Sequence, residues 1–314
     1  MATVFLNGSF LSEREARCSV LDAGLQHGVG LFETFLGGVT SGGEAWAHQL
    51  DRHLDRMVAS AGELGLAERL RAPALYDAVM ETIARAALPR ARVRLTITGG
   101  GLNLLQRRAG EGGGVPGAHE PTVLVVAQPA ANYPEAMFER GVMVLVADAR
   151  ANPFNPFEGH KTLNYWWRLR ELQRAGAKGA GEAIVLQMSN HLAGGCVSNV
   201  FVVKGGRLMA PIARGEEGGA DPDGHRAAGA LPSPVLPGVT RGSIIDLAAL
   251  RSIEVDRRML GIGDLLDADE VFLTNSSWGV LPVAAVEGRP IARGTPGEIT
   301  RELLGAWRAM LDPG

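Results

Sequence analysis

The nine residues QPAANYPEA, 128–136, cut this chain in two. They are turn formers with no hydrophobic period, so neither an amphipathic helix nor an alternating strand runs through them. Short strands and helices lie on both sides. The sequence therefore predicts two domains, a smaller N-terminal α/β domain over 1–130 and a larger domain of mixed strands with helices over 136–314. The 314 residues are enough for both. The fold class expected is α+β.

Before the break, TVFLNGSFL reads as two strands around the Asn7-Gly8 turn, and GLFETFLGG as a third strand. Leu50, Leu54, Met57 and Ala61 recur at spacings of three and four, the mark of an amphipathic helix. ALYDAVMETIARAAL predicts a second helix, and ARVRLTITGG and PTVLVVAQP two more strands around a glycine-rich loop. After the break come the strand GVMVLVADA, a helix over TLNYWWRLRELQRAG, and the strand EAIVLQ. A hairpin follows over SNVFVVKGGRLMAP, bent at Gly205-Gly206. Residues 213–234, rich in Gly, Ala, Pro and acids, predict a mobile loop. LPGVTRGSIIDLAALRS predicts a helix, EVFLTNS and GVLPVAAVEG strands, and residues 296–310 a last helix.

A net charge of −3 gives no electrostatic reason for a nucleic-acid or anionic-membrane partner. No apolar run approaches the roughly 20 residues that span a bilayer. The N-terminal MATVFLNGSF lacks the basic start and apolar stretch of a signal peptide. Cys18 and Cys196 have no metal-type spacing. A cytoplasmic protein is expected.

Of 31 basic residues only Lys161, Lys178 and Lys204 are lysines. Arginine stays protonated, whereas a lysine amine can lose its proton and attack a carbonyl. Lys178 and Lys204 sit in turns and read as surface charges. Lys161, in EGHKTLNYWW, stands beside His160, Leu163 and three aromatics at a strand-to-helix junction. A nucleophile and a partly buried ion pair both suit that setting.

Six stretches in order, LNGSFL…SVLDAGLQHGVGLFETF, HLDRMVASAGELG, KTLNYWWRLRELQRAGAKGAGEAIVL, SNVFVVKGGRLMAP, LPGVTRGSIIDLA and EVFLTNSSWGVLPV, resemble the fold-type IV pyridoxal-phosphate enzymes. That family includes branched-chain and D-amino-acid aminotransferases and 4-amino-4-deoxychorismate lyase. The resemblance implies pyridoxal 5'-phosphate as cofactor, with Lys161 its imine lysine and proton shuttle. It puts Arg56 on the cofactor phosphate, with the backbone at Val239 and Thr240, the Thr240 hydroxyl and Ser276. It puts Tyr165 on the ring 3-oxygen and the cofactor in the cleft between domains. It also implies a homodimer. Each of these side chains would serve equally as a surface charge, a helix cap or a core aromatic.

Gly194 departs from the family pattern. Five positions before Asn199 the relatives carry a glutamate that protonates the pyridine nitrogen; here stands glycine. Glu158 and Glu182 are the nearest acids in sequence. For the substrate, the arginine that relatives often carry near a TRG triplet is replaced by Gly99. Arg92 and Arg94 share one face of a strand and would form a carboxylate clamp, or an exposed charged face. Arg107 and Arg108 follow in the loop. Three activities stay open: an aminotransferase on a small amino acid and a keto acid, slow or altered because of Gly194; a 4-amino-4-deoxychorismate lyase-like enzyme; and a degenerate protein that binds cofactor or amino acid without turnover.

Overall fold

A computed structural model describes residues 3–67, 70–101, 121–218 and 231–311. The described residues form two compact units, those up to 131 together with 161–164, and those of 132–160 together with those from 165 on. Arg107 and Arg108, and the middle of the predicted loop at 219–230, lie outside the described residues.

The first unit contains β1 (Thr3–Leu6), β2 (Ser9–Ser12), α1 (Ala23–His27), β3 (Gly30–Val39), β4 (Ala45–Ala47), α2 (Leu50–Glu63), α3 (Ala72–Ala86), β5 (Ala91–Thr98) and β6 (Val123–Pro129). Its strands form an antiparallel sheet in the order β2-β1-β6-β5-β3-β4. Along β5 the period of two is plain: Ala91, Val93, Leu95 and Ile97 are buried, while Arg92 and Arg94 point the other way. The buried side meets Leu50, Leu54, Met57 and Ala61 of α2 and Val79 and Ile83 of α3. The α2 spacing thus delivers its apolar stripe to the sheet.

The second unit contains α4 (Ala136–Arg140), β7 (Val142–Ala151), α5 (Trp166–Ala177), β8 (Glu182–Gln187), β9 (Leu192–Gly195), β10 (Asn199–Lys204) and β11 (Arg207–Ala210). It continues with α6 (Val239–Leu250), β12 (Val255–Arg257), α7 (Ile262–Leu266), β13 (Glu270–Asn275), β14 (Gly279–Val286), β15 (Arg289–Pro290) and α8 (Glu298–Ala309). Its mixed sheet runs β12-β11-β10-β13-β14-β7-β8-β9, with β15 on β14. Strands β7 and β8 are parallel to each other, joined by the α5 crossover.

The helix expected from Thr162 starts at Trp166 instead. Residues 161–164 lie along β3: the Phe32 amide donates to the Lys161 carbonyl at 2.9 Å and the Leu163 amide to the Gly30 carbonyl at 2.9 Å. Those bonds occupy backbone groups at the start of β3, and extended geometry follows. The break is also shorter than the sequence suggests, because β6 extends through Pro129 and α4 starts at Ala136.

Candidate active site

Lys161 is half-buried, and its Nζ lies 4.5 Å from the centroid of the Phe32 ring. The guanidinium carbon of Arg94 lies 3.8 Å from the same centroid, and Arg94 Nε donates to Thr96 Oγ1 at 3.2 Å. The register explains the meeting: Phe32 pairs with Thr96 and Thr34 with Arg94, so all four leave the sheet on one side. Arg92 shares that side two residues away. Lys204 is an exposed surface cation bonded to the Asp269 carboxylate, and Lys178 is exposed at the end of α5.

On the opposite side of β3, Glu33 is 1% exposed among Leu31 and Phe35. Two residues of α2 reach it. Arg56 donates from Nε to Oε1 at 2.9 Å and from Nη2 to Oε2 at 2.6 Å, and His53 Nδ1 lies 2.6 Å from Oε2. Burial pushes the Glu33 carboxyl up, but the charge of Arg56 and the bond to His53 outweigh it and hold the group at about 2. Burial holds His53 below its ordinary value, so it is the neutral partner in the cluster. Arg56, read from sequence as surface charge or phosphate ligand, is 12% exposed at its side chain and braced by a carboxylate. Neither Glu33 nor His53 was singled out from sequence; the signal was an acid in the middle of an apolar strand.

In the second unit, α6 follows Gly238, whose extended backbone provides no side-chain cap to the first N–H groups. Thr240, buried in that first turn, places Oγ1 3.2 Å from Ser276 Oγ, just past β13. Gly238 must be glycine here, since a Cβ would fall 2.0 Å from Asn199 Oδ1. Asn199 is fixed in turn by donating to the Leu236 carbonyl at 2.8 Å. Val239, Thr240 and Ser276 therefore form one cup of backbone amides and hydroxyls, the arrangement that suits a phosphate. Tyr165 stands directly before α5, with the Arg168 guanidinium 5.9 Å from its ring.

Gly194 has φ +134°, and a Cβ there would meet the Ser198 carbonyl oxygen at 2.8 Å. The turn that follows wraps a different carboxylate. Fully buried Glu182 accepts from the amides of Ala183 at 2.9 Å, Cys196 at 3.2 Å and Val197 at 3.2 Å, and from Ser198 Oγ at 3.0 Å. Burial raises its pKa, and those bonds oppose the rise. Glu158 instead binds Arg168, Nη2 to Oε2 at 2.8 Å. The Lys161 amine suits an aldehyde and, in the second unit, the amide and hydroxyl donors of Val239, Thr240 and Ser276 suit a phosphate; pyridoxal phosphate carries both groups.

The family model for class IV amino-transferases matches residues 30–286. A putative branched-chain-amino-acid aminotransferase of Methanocaldococcus jannaschii is 31% identical over 96% of this chain and 93% of its own. The solved branched-chain aminotransferase of Escherichia coli superposes with a TM-score of 0.81 at 25% identity, over 98% of this chain and 93% of that one. The solved 4-amino-4-deoxychorismate lyase of Pseudomonas aeruginosa gives 0.78 at 26% identity, over 98% and 99%. The α+β fold of the two units and these matches agree: the chain belongs to the class IV aminotransferases, pyridoxal-phosphate-dependent enzymes.

Proposed function

We propose that the protein is an aminotransferase of the branched-chain type, moving an amino group between a small amino acid and a keto acid, with Lys161 as the attachment point of the cofactor. The observation that carries this reading is the shared Phe32 ring, which brings an amine and the Arg94 guanidinium together. The relatives named above as branched-chain aminotransferases support the substrate class.

When bound, pyridoxal phosphate supplies an aldehyde for amines and a ring that withdraws electrons from the substrate's α-carbon. Lys161 Nζ would hold the cofactor at its aldehyde carbon and would move a proton at the substrate α-carbon as general base. Arg94, with Arg92 on the same side of β5, receives the substrate carboxylate by a guanidinium fork. Val239, Thr240 and Ser276 would hold the phosphate, and Tyr165 would donate to the ring oxygen. Gly194 offers no carboxylate, and a ring nitrogen left without one would withdraw less charge, so slow turnover is expected.

The protein is proposed to act as a cytoplasmic homodimer. Val20, Leu21 and Leu25, neighbours in the chain of the first unit, are 73%, 67% and 68% exposed. Clustered apolar surface of this kind marks an interface. A lyase reading is favoured by the match to the Pseudomonas aeruginosa enzyme over nearly all of both chains. The two separate on assay: amino-group exchange between branched-chain amino acids and 2-oxoglutarate supports the first, and release of aminobenzoate and pyruvate supports the second. A purified protein with no visible cofactor absorption and neither activity would overturn both.

A further inference from the structure

Arg241 lies in the first turn of α6, is 3% exposed, and turns away from the helix toward the chain leaving β11. It donates from Nη1 to Glu216 Oε1 at 2.8 Å, from Nη2 to Glu216 Oε2 at 2.7 Å, and from Nη2 to the Pro211 carbonyl at 3.0 Å. Glu216 also accepts from the Ala213 amide at 2.9 Å. Burial raises the Glu216 pKa, but Arg241 and the Ala213 amide outweigh it, so the group is held low and ionised.

The surrounding segments are tied in as well. Ser233 Oγ donates to the Ile212 carbonyl at 2.7 Å, and the Arg214 amide donates to the Val235 carbonyl at 2.9 Å. Arg214 Nη1 reaches the Glu158 carbonyl at 3.2 Å, three residues before Lys161 in the chain. Residues 211–217 and 233–236 are thus stitched into one base, and the start of α6 rests on it through a single buried guanidinium. An arginine in the first turn opposes the helix dipole, so its place there needs a local cause. The Glu216 fork supplies one.

We propose that Glu216 and Arg241 are positioning residues for the phosphate cup, holding the first turn of α6 so that Val239, Thr240 and Ser276 present their donors to the cofactor phosphate. This rests on the proposed role of that cup. The fork fixes two planes at once, and amide donors lose strength steeply when misaligned.

The sign of the effect tests it. If Glu216 acted only through its charge, removing that charge would strengthen phosphate binding, because a nearby anion would be gone. Positioning predicts the reverse. The cofactor-free full-length protein and its Glu216→Gln and Glu216→Asp variants would be titrated with pyridoxal phosphate and with pyridoxal, which lacks the phosphate. Glu216→Gln is expected to bind pyridoxal phosphate about tenfold more weakly, the scale of one charge-assisted hydrogen bond, with pyridoxal unchanged. Glu216→Asp, which keeps the charge, is expected to recover part of the loss. Unchanged or tighter binding of pyridoxal phosphate in Glu216→Gln would overturn the proposal, as would equal weakening for both ligands. A wild-type protein that binds the two ligands equally well would instead remove the phosphate cup itself, and the proposal with it.

Discussion

The carboxylate of Glu33 holds the guanidinium of Arg56 along one edge, with contacts of 2.9 and 2.6 Å, inside the apolar side of β3. Arg56 is therefore aimed by a buried acid before any ligand arrives. Glu33→Gln keeps the shape and leaves Arg56 without its counter-ion. Breaking a buried pair in this way costs about 3 kcal/mol, so thermal unfolding should move down by several degrees. Pyridoxal phosphate should also bind more weakly. An unchanged melting temperature would show the pair to be dispensable.

Arg56→Ala leaves Glu33 charged and buried, so it confuses stability with binding. Arg56→Lys is the cleaner probe. It retains the charge but not the fork, and it should weaken pyridoxal phosphate by roughly tenfold. Equal affinity to wild type would mean that Arg56 does not touch the phosphate.

Acid should destabilise the first unit in two steps. Burial lowers His53 and, as the larger cause, takes His48 down to about 4. Below about 6.5 the unfolded chain gains these protons while the folded chain does not, so stability present above that pH falls on acidification. Glu33 adds a second loss between the ordinary carboxylate range and about 2. Urea unfolding as a function of pH should show both, and His48→Asn should flatten the first. A pH-independent midpoint from 7 to 4 would contradict the assignment.

Lys161→Arg retains a cation over Phe32 and loses the nucleophile. The variant should fold with an unchanged circular dichroism spectrum and show no covalent cofactor after borohydride reduction. In the wild type the reduced label should map to the peptide containing Lys161. A label on Lys178 or Lys204 would refute the assignment.

Placing a glutamate at Gly194 is not a simple substitution. A side chain at φ +134°, with the Ser198 carbonyl 2.8 Å from its Cβ, is strained by on the order of 1–3 kcal/mol. Gly194→Glu should melt lower than wild type and fail to accelerate turnover. Faster turnover in a variant of undiminished stability would show that the turn adapts.

Much of this was legible in sequence because it depends on neighbours along the chain. The 2.0 period of β5 put Arg92 and Arg94 on one side, the α2 spacing gave its buried stripe, and Gly205-Gly206 marked the β10–β11 bend. The scarcity of lysine drew attention to Lys161. The partners of Glu33 and Glu182 were hidden for the opposite reason. An acid in an apolar strand shows a need for partners without naming them, and these partners come from α2 and from the turn after β9. Residues 162–164 misled as helix because their extended shape is set by backbone bonds to β3, more than a hundred positions earlier in the chain.

That pairing gives the molecule an unusual dependence on its own continuity. The polypeptide leaves the first unit after residue 131, returns for residues 161–164, and leaves again. A fragment ending at 131 would carry Phe32, Glu33 and Arg56 yet lack the short return pass that covers the start of β3 and bears the lysine. A nick between 131 and 161 is a different injury, since the return pass would still be tethered to the second unit by its C-terminal side. Splitting the gene in that interval leaves the return pass on the C-terminal half, so co-expressed halves must rebuild its pairing with β3, whereas cutting after 164 keeps that pairing within the N-terminal half.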